Sequence, residues 1–402
     1  MDSANTFDVA IAGAGPAGSS VAIELALNGA RVLLIEEKKF PRAKLCGEFI
    51  SPECLAHFKR LGVMEQMSAS GGASVAETVF YSRRGKSVAV PSEWFKSGTR
   101  ALGLSRSEMD QQLLERAKSV GVIVMQEAHA TPLLQERERV SGLRVRSGNQ
   151  TTDYHALVTI DATGRTRALA RQLDPPRANR RKNVKPLVAF KVHLQHARVA
   201  PGACEIYFYQ RGYGGLSSVE GGVTNLCFIV GAKDVRRYNS DPELVLREVV
   251  MKNSRAAYTL AEARAVTPWL SVSLESFGRR TVVPAAGLLA AGDAAAFIDP
   301  FTGSGMLIAM ESGQLAAESI NRHLLDLRRG NGFEKMASDY QAEYSRRFES
   351  RLRVSGLLRR AAFVPHLDEA AIPLFALSAQ LRRKLARATR HSTSREASAS
   401  SL

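Results

Sequence analysis

Three groups of residues have types and spacings that suit one kind of chemistry, the holding of an extended, phosphate-bearing redox molecule. Gly13-Ala14-Gly15-Pro16-Ala17-Gly18 follows a short apolar run over 7–12 and opens a helical pattern. In this G-x-G-x-x-G arrangement Gly13 permits a tight turn, Gly15 lets the backbone approach a pyrophosphate, and Gly18 lets helix and strand pack closely. The phosphates then sit against the positive end of the helix and its free N–H groups. Glu36, eighteen residues beyond Gly18, is placed to accept hydrogen bonds from ribose hydroxyls. An acid there repels a 2′-phosphate, so the site suits FAD or NAD rather than NADP. The competing reading is a glycine-rich turn that binds nothing.

The second group lies at 292–306, GDAAAFIDPFTGSGM. A nicotinamide dehydrogenase needs no second glycine-aspartate site so far along the chain, so FAD is the expected cofactor. The Asp293 carboxylate is expected to bind ribityl or ribose hydroxyls, its alternative being a helix N-cap. Gly303 and Gly305 free backbone N–H groups at a helix start, where positive potential suits the flavin N1–C2=O edge as negative charge develops on reduction. Gly305 and Met306 are the residues assigned to that contact. The third group is Lys44-Leu45-Cys46-Gly47-Glu48-Phe49, whose only free-standing signal is an unpaired cysteine beside a glycine.

The elements that must position these groups follow from periodicity. Strand 7–12, helix 19–28 and strand 31–35 form a βαβ unit ending at Glu36. Helices are expected over 52–61, 107–120, 241–253 and 305–327, and strands over 122–125, 157–160 and 288–291. A hairpin is expected over 78–90, and strands over 188–194, 205–209 and 224–230 belong to a separate sheet. The region 338–390 reads as amphipathic helix interrupted at Pro365 and Pro373. The expected fold class is α/β: a discontinuous Rossmann-like FAD-binding domain with an inserted, mainly antiparallel substrate sheet and a helical C-terminal tail. The FAD-binding domain takes 1–75, 98–180 and 270–335, and the substrate domain 76–97 and 181–269. Helices fill 336–390, and 391–402 is expected to be disordered.

With the glycine fingerprint and the GD motif in place, residues 7–335 resemble the FAD-dependent monooxygenase and reductase superfamily with the p-hydroxybenzoate hydroxylase-type fold. Leu104-Ser105-Arg106 with Asp110 and Leu113, and Asp161-Ala162-Thr163-Gly164, extend the resemblance. Lys44 to Pro52 looks like the K-x-C-G-G-G-x-S segment of the geranylgeranyl reductase branch, which saturates double bonds of polyprenyl lipids. The resemblance implies cofactor contacts from Ala17, Glu36, Cys46, Gly47, Phe49, Arg106, Ala130, Asp293, Gly305 and Met306. It also implies Cys46 as the candidate catalytic residue, a proton donor or polarising group, against its reading as a small core residue. Two departures stand out. Glu48 and Phe49 replace the glycine run, and the Y-x-W-x-F-P substrate motif survives at best as Tyr213 to Ser218. The W-x-W-x-I-P motif of related halogenases is absent, so halogenation is not expected.

The chain has 402 residues, 55 Lys and Arg against 39 Asp and Glu, and a net charge of +16. Ordinary hydrophobic content argues against wholesale disorder. No apolar run reaches the length of a membrane span, the best candidate being broken at Asp293. Four cysteines without paired spacing suggest neither zinc nor a disulfide framework, and no metal ligands are assigned. Without a leader pattern, a cytoplasmic location is expected. Basic excess concentrates in 165–185 and 341–402, without the interleaved aromatics of a nucleic-acid surface, so no nucleic acid is expected. The tail's apolar set Ile372, Leu374, Phe375, Leu377, Leu381 and Leu385 beside its arginines fits either an anionic membrane surface or docking on the core. The Arg177, Arg180, Arg181 and Lys182 cluster fits a solvated loop or a nicotinamide phosphate. Tyr207, Tyr209 and Tyr213 are candidates for the cavity wall or, equally, for a sheet core, and His193 reads as an ordinary surface or strand residue.

The expected activity is that of an FAD-dependent oxidoreductase on a lipophilic small molecule, with NAD(P)H as transient electron donor. Reduction of C=C bonds is favoured by the Cys46 segment. Alternatives are monooxygenation through a C4a-hydroperoxyflavin and a non-catalytic flavin-binding protein.

Overall fold

Apolar runs bounded by glycine turns build two sheets whose facing edges enclose one cavity. The computed structural model describes residues 3–390 apart from 97, 135–138, 175–185, 275–276 and 365. In chain order the larger elements begin with β1 (Thr6–Ala12), α1 (Pro16–Leu27), β2 (Val32–Ile35), β3 (Glu77–Tyr81) and β4 (Ser87–Pro91). There follow α2 (Arg106–Ser119), β5 (Ile123–Met125), β6 (Ala128–Leu134), β7 (Val140–Ser147) and β8 (Gln150–Asp161). Next are β9 (Leu187–Gln195), β10 (Ala203–Tyr209), β11 (Gly212–Ser218), β12 (Thr224–Gly231), β13 (Leu270–Leu274) and β14 (Leu288–Ala290). Four helices complete the described chain: α3 (Gly305–Arg328), α4 (Phe333–Ala362), α5 (Leu367–Leu377) and α6 (Ala379–Ala388).

The first sheet has the order β5-β2-β1-β8-β7-β6, with β14 also on β8. β5, β2, β1, β8 and β14 are parallel, while β7 and β6 add an antiparallel meander. Ala12 pairs with both Ile35 and Asp161, and Asp161 with Ala290, so four strands end at one level. Open parallel sheets bind ligands at this carboxyl edge. Crossover helices cover the sheet, which is why β2 is buried at all four positions instead of alternating. The main core lies between this sheet and α1, α2, α3 and α4.

The second sheet is eight-stranded and mainly antiparallel, in the order β9-β12-β11-β10-β3-β4, with β13 and the short strand Arg264–Ala265 on the other side of β9. Its only parallel pair among the described residues is β10 with β3. The expected α/β class with a mainly antiparallel second sheet and C-terminal helices is what the chain adopts.

Four local expectations are corrected. β6 and β7 were not anticipated, because Pro132 and Gly142 interrupt the alternation; Pro132 fits because β6 is an edge strand. β11 was missed because Gly212, Gly214 and Gly215 mask its pattern. The helix expected over 241–253 is a short helix, Pro242–Glu248, followed by a 3₁₀ turn, Val250–Lys252. Pro373 does not interrupt a helix. It lies inside α5, whose Ile372 is buried and whose Phe375 packs on the second sheet; the break falls at Ser378, where the backbone is extended and Oγ caps Leu381 N. The basic cluster at 177–182 and the segment 391–402 lie outside the described residues. Among the described residues no helix is long and apolar enough to cross a membrane.

Candidate cofactor and substrate cavity

β1 delivers Gly13 to the carboxyl edge, where its N–H donates to the Ile35 carbonyl (2.7 Å) and φ is +101°. Gly15 is the N-cap of α1 and Pro16 its first residue, a start that needs no side-chain cap. The start of α3, with Gly305 and Met306, faces the same space. Gly13, Gly15, Ala17, Glu36, Cys46, Gly47, Phe49, Arg106, Ala130, Asp293, Gly305 and Met306 all line one cavity of about 790 Å³. Gly18 does not; it is buried where α1 crosses the Gly13 turn. The two glycine-lined helix starts, nearly 300 positions apart in sequence, therefore open onto a single space.

The shape of the walls fits a flavin dinucleotide. A Cβ on Gly47 or Gly305 would meet nothing within 4 Å, and one on Gly15 only the Arg106 guanidinium at 3.7 Å. Protein packing does not require glycine at these positions; what glycine leaves there is bare backbone facing the cavity. Asp161 pins the returning turn by accepting from Thr163 N, Thr163 Oγ1 (2.6 Å) and Ala170 N. Ala162 to Thr166 thereby line the cavity beside the fingerprint.

A chain of charges links the two ends. The Glu36 carboxylate accepts from Ala14 N (3.0 Å) and Lys38 N (3.1 Å), and Arg42 bridges Glu36 (3.4 Å) to Asp110 (3.1 Å). Asp110 holds Arg106 through two hydrogen bonds of 2.8 and 2.7 Å. Burial opposes the Arg106 charge, but Asp110 outweighs it and raises the pKa, with the Cys46 sulfur also at the guanidinium. Arg106 is thus both the helix-start ion pair and a cation over the Gly15 turn. Ser105 caps the start of α2, its Oγ accepting from Glu108 N, while its own N–H donates to Glu220 (2.8 Å). Arg42 gave no sequence signal.

Asp293 sits in a 3₁₀ turn, Gly292–Ala294, and caps no helix; the capping acid of this region is Asp299, which accepts from Phe301 N (3.0 Å). Burial raises the Asp293 pKa to about 6, offset in part by Lys44, Arg106 and Arg165. A raised carboxyl pKa means the folded state binds the proton more tightly than the unfolded state. Stability of flavin-free protein therefore falls as pH rises from about 4 to about 6 and stays lowered above that window. Asp293→Asn is expected to stabilise flavin-free protein at pH ~7.5, by on the order of 2 kcal/mol after allowing for water in the cavity, with no gain at pH ~4. The same substitution is expected to weaken FAD binding about tenfold. Thermal melts at the two pH values and a flavin titration check both halves.

The Cys46 segment is held from the second sheet. Glu48 is fully buried at φ +54°, forms an ion pair with Lys191, hydrogen-bonds His193 Nε2 (2.6 Å) and accepts from Arg106 N (2.8 Å). Lys191 Nζ also donates to Lys44 O (3.1 Å), and Asn225 Nδ2 to Cys46 O (3.1 Å). Burial alone would raise the Glu48 pKa; the His193 hydrogen bond and the Lys191 charge reverse this and hold it below the usual carboxylate value. His193, read from sequence as an ordinary strand residue, is part of this clamp.

Beyond Cys46 the cavity becomes apolar. Cys204, Ile206 and Phe208 of β10 face it, while the alternate residues Tyr207 and Tyr209 face the opposite core. Of the three tyrosines considered, only Tyr213 reaches the cavity, its hydroxyl paired with Asp299. Phe80, Phe208, Tyr213 and Phe301 form an aromatic cluster on this wall. The opposite side is closed by α5 and α6, with Ile372, Phe375 and Leu385 lining the cavity.

A Rossmann-type half holding a two-ended dinucleotide cradle, opening into an apolar chamber under a second sheet, defines a flavin-dependent oxidoreductase. Residues 6–354 match the family described as FAD binding domain, and the chain belongs to it. The chain is 28% identical over 318 residues to a digeranylgeranylglycerophospholipid reductase of Methanosarcina mazei, covering 78% of this chain and 74% of that protein. It is 28% identical over 383 residues to a menaquinone reductase of Mycobacterium tuberculosis, covering 89% and 85%. The solved flavin-dependent brominase Bmp2 superposes with a TM-score of 0.78 at 20% identity, covering 96% and 93%, which shows shared fold alone.

Proposed function

We propose that the enzyme saturates a carbon–carbon double bond of a long lipophilic molecule. The observation that carries this reading is the continuity of the dinucleotide cradle with an apolar chamber, with Cys46 at the junction. The two sequence relatives, a digeranylgeranylglycerophospholipid reductase and a menaquinone reductase, support it. Bound FAD, with NAD(P)H proposed as its reductant, would supply hydride chemistry at one carbon of the double bond. The chain's own residues do the rest. Glu36, the Gly13–Gly18 turn and Arg106 hold the dinucleotide, and α5 and α6 exclude water from the chamber. Cys46 Sγ delivers the proton that the second carbon needs, which balances the reduction.

The test is to reduce the purified holoenzyme, mix it with a polyprenyl lipid or menaquinone, and follow flavin reoxidation with and without oxygen. Anaerobic reoxidation with a product two hydrogens heavier is expected. Oxygen-dependent turnover that places labelled oxygen in the product would replace the reading with monooxygenation. Cys46→Ser is expected to lower kcat about tenfold while flavin content stays normal, as measured by absorbance and steady-state rates.

A further inference from the structure

α5 is apolar on two faces. Ala371, Ile372 and Phe375 turn inward to the cavity. Ala370, Leu374 and Leu377 turn outward, their steps of four and three residues placing them on one face of α5, and Leu381, past the break at Ser378, is exposed on α6. Leu374, Leu377 and Leu381 are 59%, 84% and 42% exposed. Leu357 and Val364, just before α5, are exposed as well, so this short segment holds a large share of the exposed bulky apolar residues among the described ones. Such residues scattered singly need no explanation, but an aligned row does.

Charge says what covers the row. Residues 351–390 carry nine Lys and Arg against two acids, Asp368 and Glu369. Both acids are turned inward and engaged: Asp368 accepts from Arg83 N (2.9 Å) and Glu369 from Arg84 N (2.8 Å), at the β3–β4 turn. Arg383 and Lys384 stand exposed beside the leucines. Arg382, Arg387 and Arg390 instead donate to the Ala89, Trp94 and Thr302 carbonyls and fasten the helices to the body. An apolar row fringed by free cations and cleared of anions matches the interface of an anionic bilayer.

We infer that the outer face of α5 and α6 seats this protein on an anionic membrane surface. The cover of the chamber then lies in the lipid interface, and a lipophilic substrate reaches the chamber by passing between these helices and the second sheet without crossing water. The inference concerns surface binding and does not depend on which reaction the flavin performs.

The test uses flavin-loaded, full-length protein and sedimentation with phosphatidylcholine vesicles, with or without about one third phosphatidylglycerol. Binding is expected only with the anionic lipid and is expected to weaken at about 0.5 M salt. Leu374→Asp/Leu377→Asp/Leu381→Asp is expected to lower partition by about 100-fold. Arg383→Glu/Lys384→Glu is expected to lower it about tenfold. These positions do not line the cavity, so both variants should keep bound flavin and an unchanged melting temperature. No binding to either vesicle, or binding that survives both variants, overturns the inference. So does light scattering that shows a dimer split into monomers by the three aspartates, which would make a second copy the cover.

Discussion

Gly13→Ala is expected to give a colourless protein. A Cβ at Gly13 would lie 2.3 Å from the Ala162 carbonyl oxygen, and the residue sits at φ +101°, outside the range that side chains tolerate. Neither clash can be relieved by a rotamer, because the obstacle is backbone of the neighbouring strand end. Moving that backbone costs about 3 kcal/mol or more and displaces the turn proposed to hold the pyrophosphate, so FAD affinity should fall by at least about 100-fold. Gly15→Ala provides the contrast. Its Cβ has room within the protein and intrudes only on the cavity, so flavin-free protein should melt normally while flavin binding weakens. Flavin-to-protein absorbance ratios and melts of flavin-free samples separate the two. A Gly13→Ala protein with full flavin content would show that the turn is not the pyrophosphate cradle.

Glu48→Gln is expected to cost about 3–5 kcal/mol of stability, because it leaves Lys191 charged and buried without its partner. Lys191 is only 3% exposed, so water cannot replace the lost carboxylate. Glu48→Gln/Lys191→Met should recover most of the loss, since removing both charges also removes the desolvation burden. The pair also predicts acid sensitivity. A carboxylate with a depressed folded pKa contributes stability that is complete above its unfolded pKa, about 4.5, and is lost as pH falls through the lower folded value. Glu48→Gln should therefore flatten the acid limb of the stability curve. Because the clamp holds the Cys46 loop, the single variant should also speed alkylation of Cys46, which a merely global destabilisation would not do below the melting range. An unchanged alkylation rate and melting temperature would remove the clamp from the account.

The sequence was readable wherever structure is local. The βαβ unit announces itself because its turn, helix start and ribose acid lie within 36 residues, each with its own residue type. The long helix after Gly305 was legible for the same reason, and the pairing of its start with the Gly13 turn followed from the redundancy of two glycine-acid groups. Glu48 was not legible as an anchor. Its partners Lys191 and His193 lie more than 140 positions away on a strand whose alternation says only which face they occupy. Arg42 was hidden in the same way, its carboxylates coming from β2's end and from α2. For the three tyrosines the sequence left cavity wall and core both open; the pleat, which separates Tyr207 and Tyr209 from Phe208, puts those two in the core. Pro373 misled because a proline removes one helical hydrogen bond, a loss that the buried Ile372 and Phe375 contacts offset.

The helices that roof the chamber are the last described part of the chain, and Arg390 fastens their end to Thr302 and Glu53. During synthesis domains form from the amino terminus onward. Every residue of the proposed dinucleotide cradle, from Gly13 to Met306, and the core helix α4 thus leave the ribosome before α5 and α6 do. A vitamin-derived cofactor would therefore meet an open vestibule until α5 and α6 are made and dock over it.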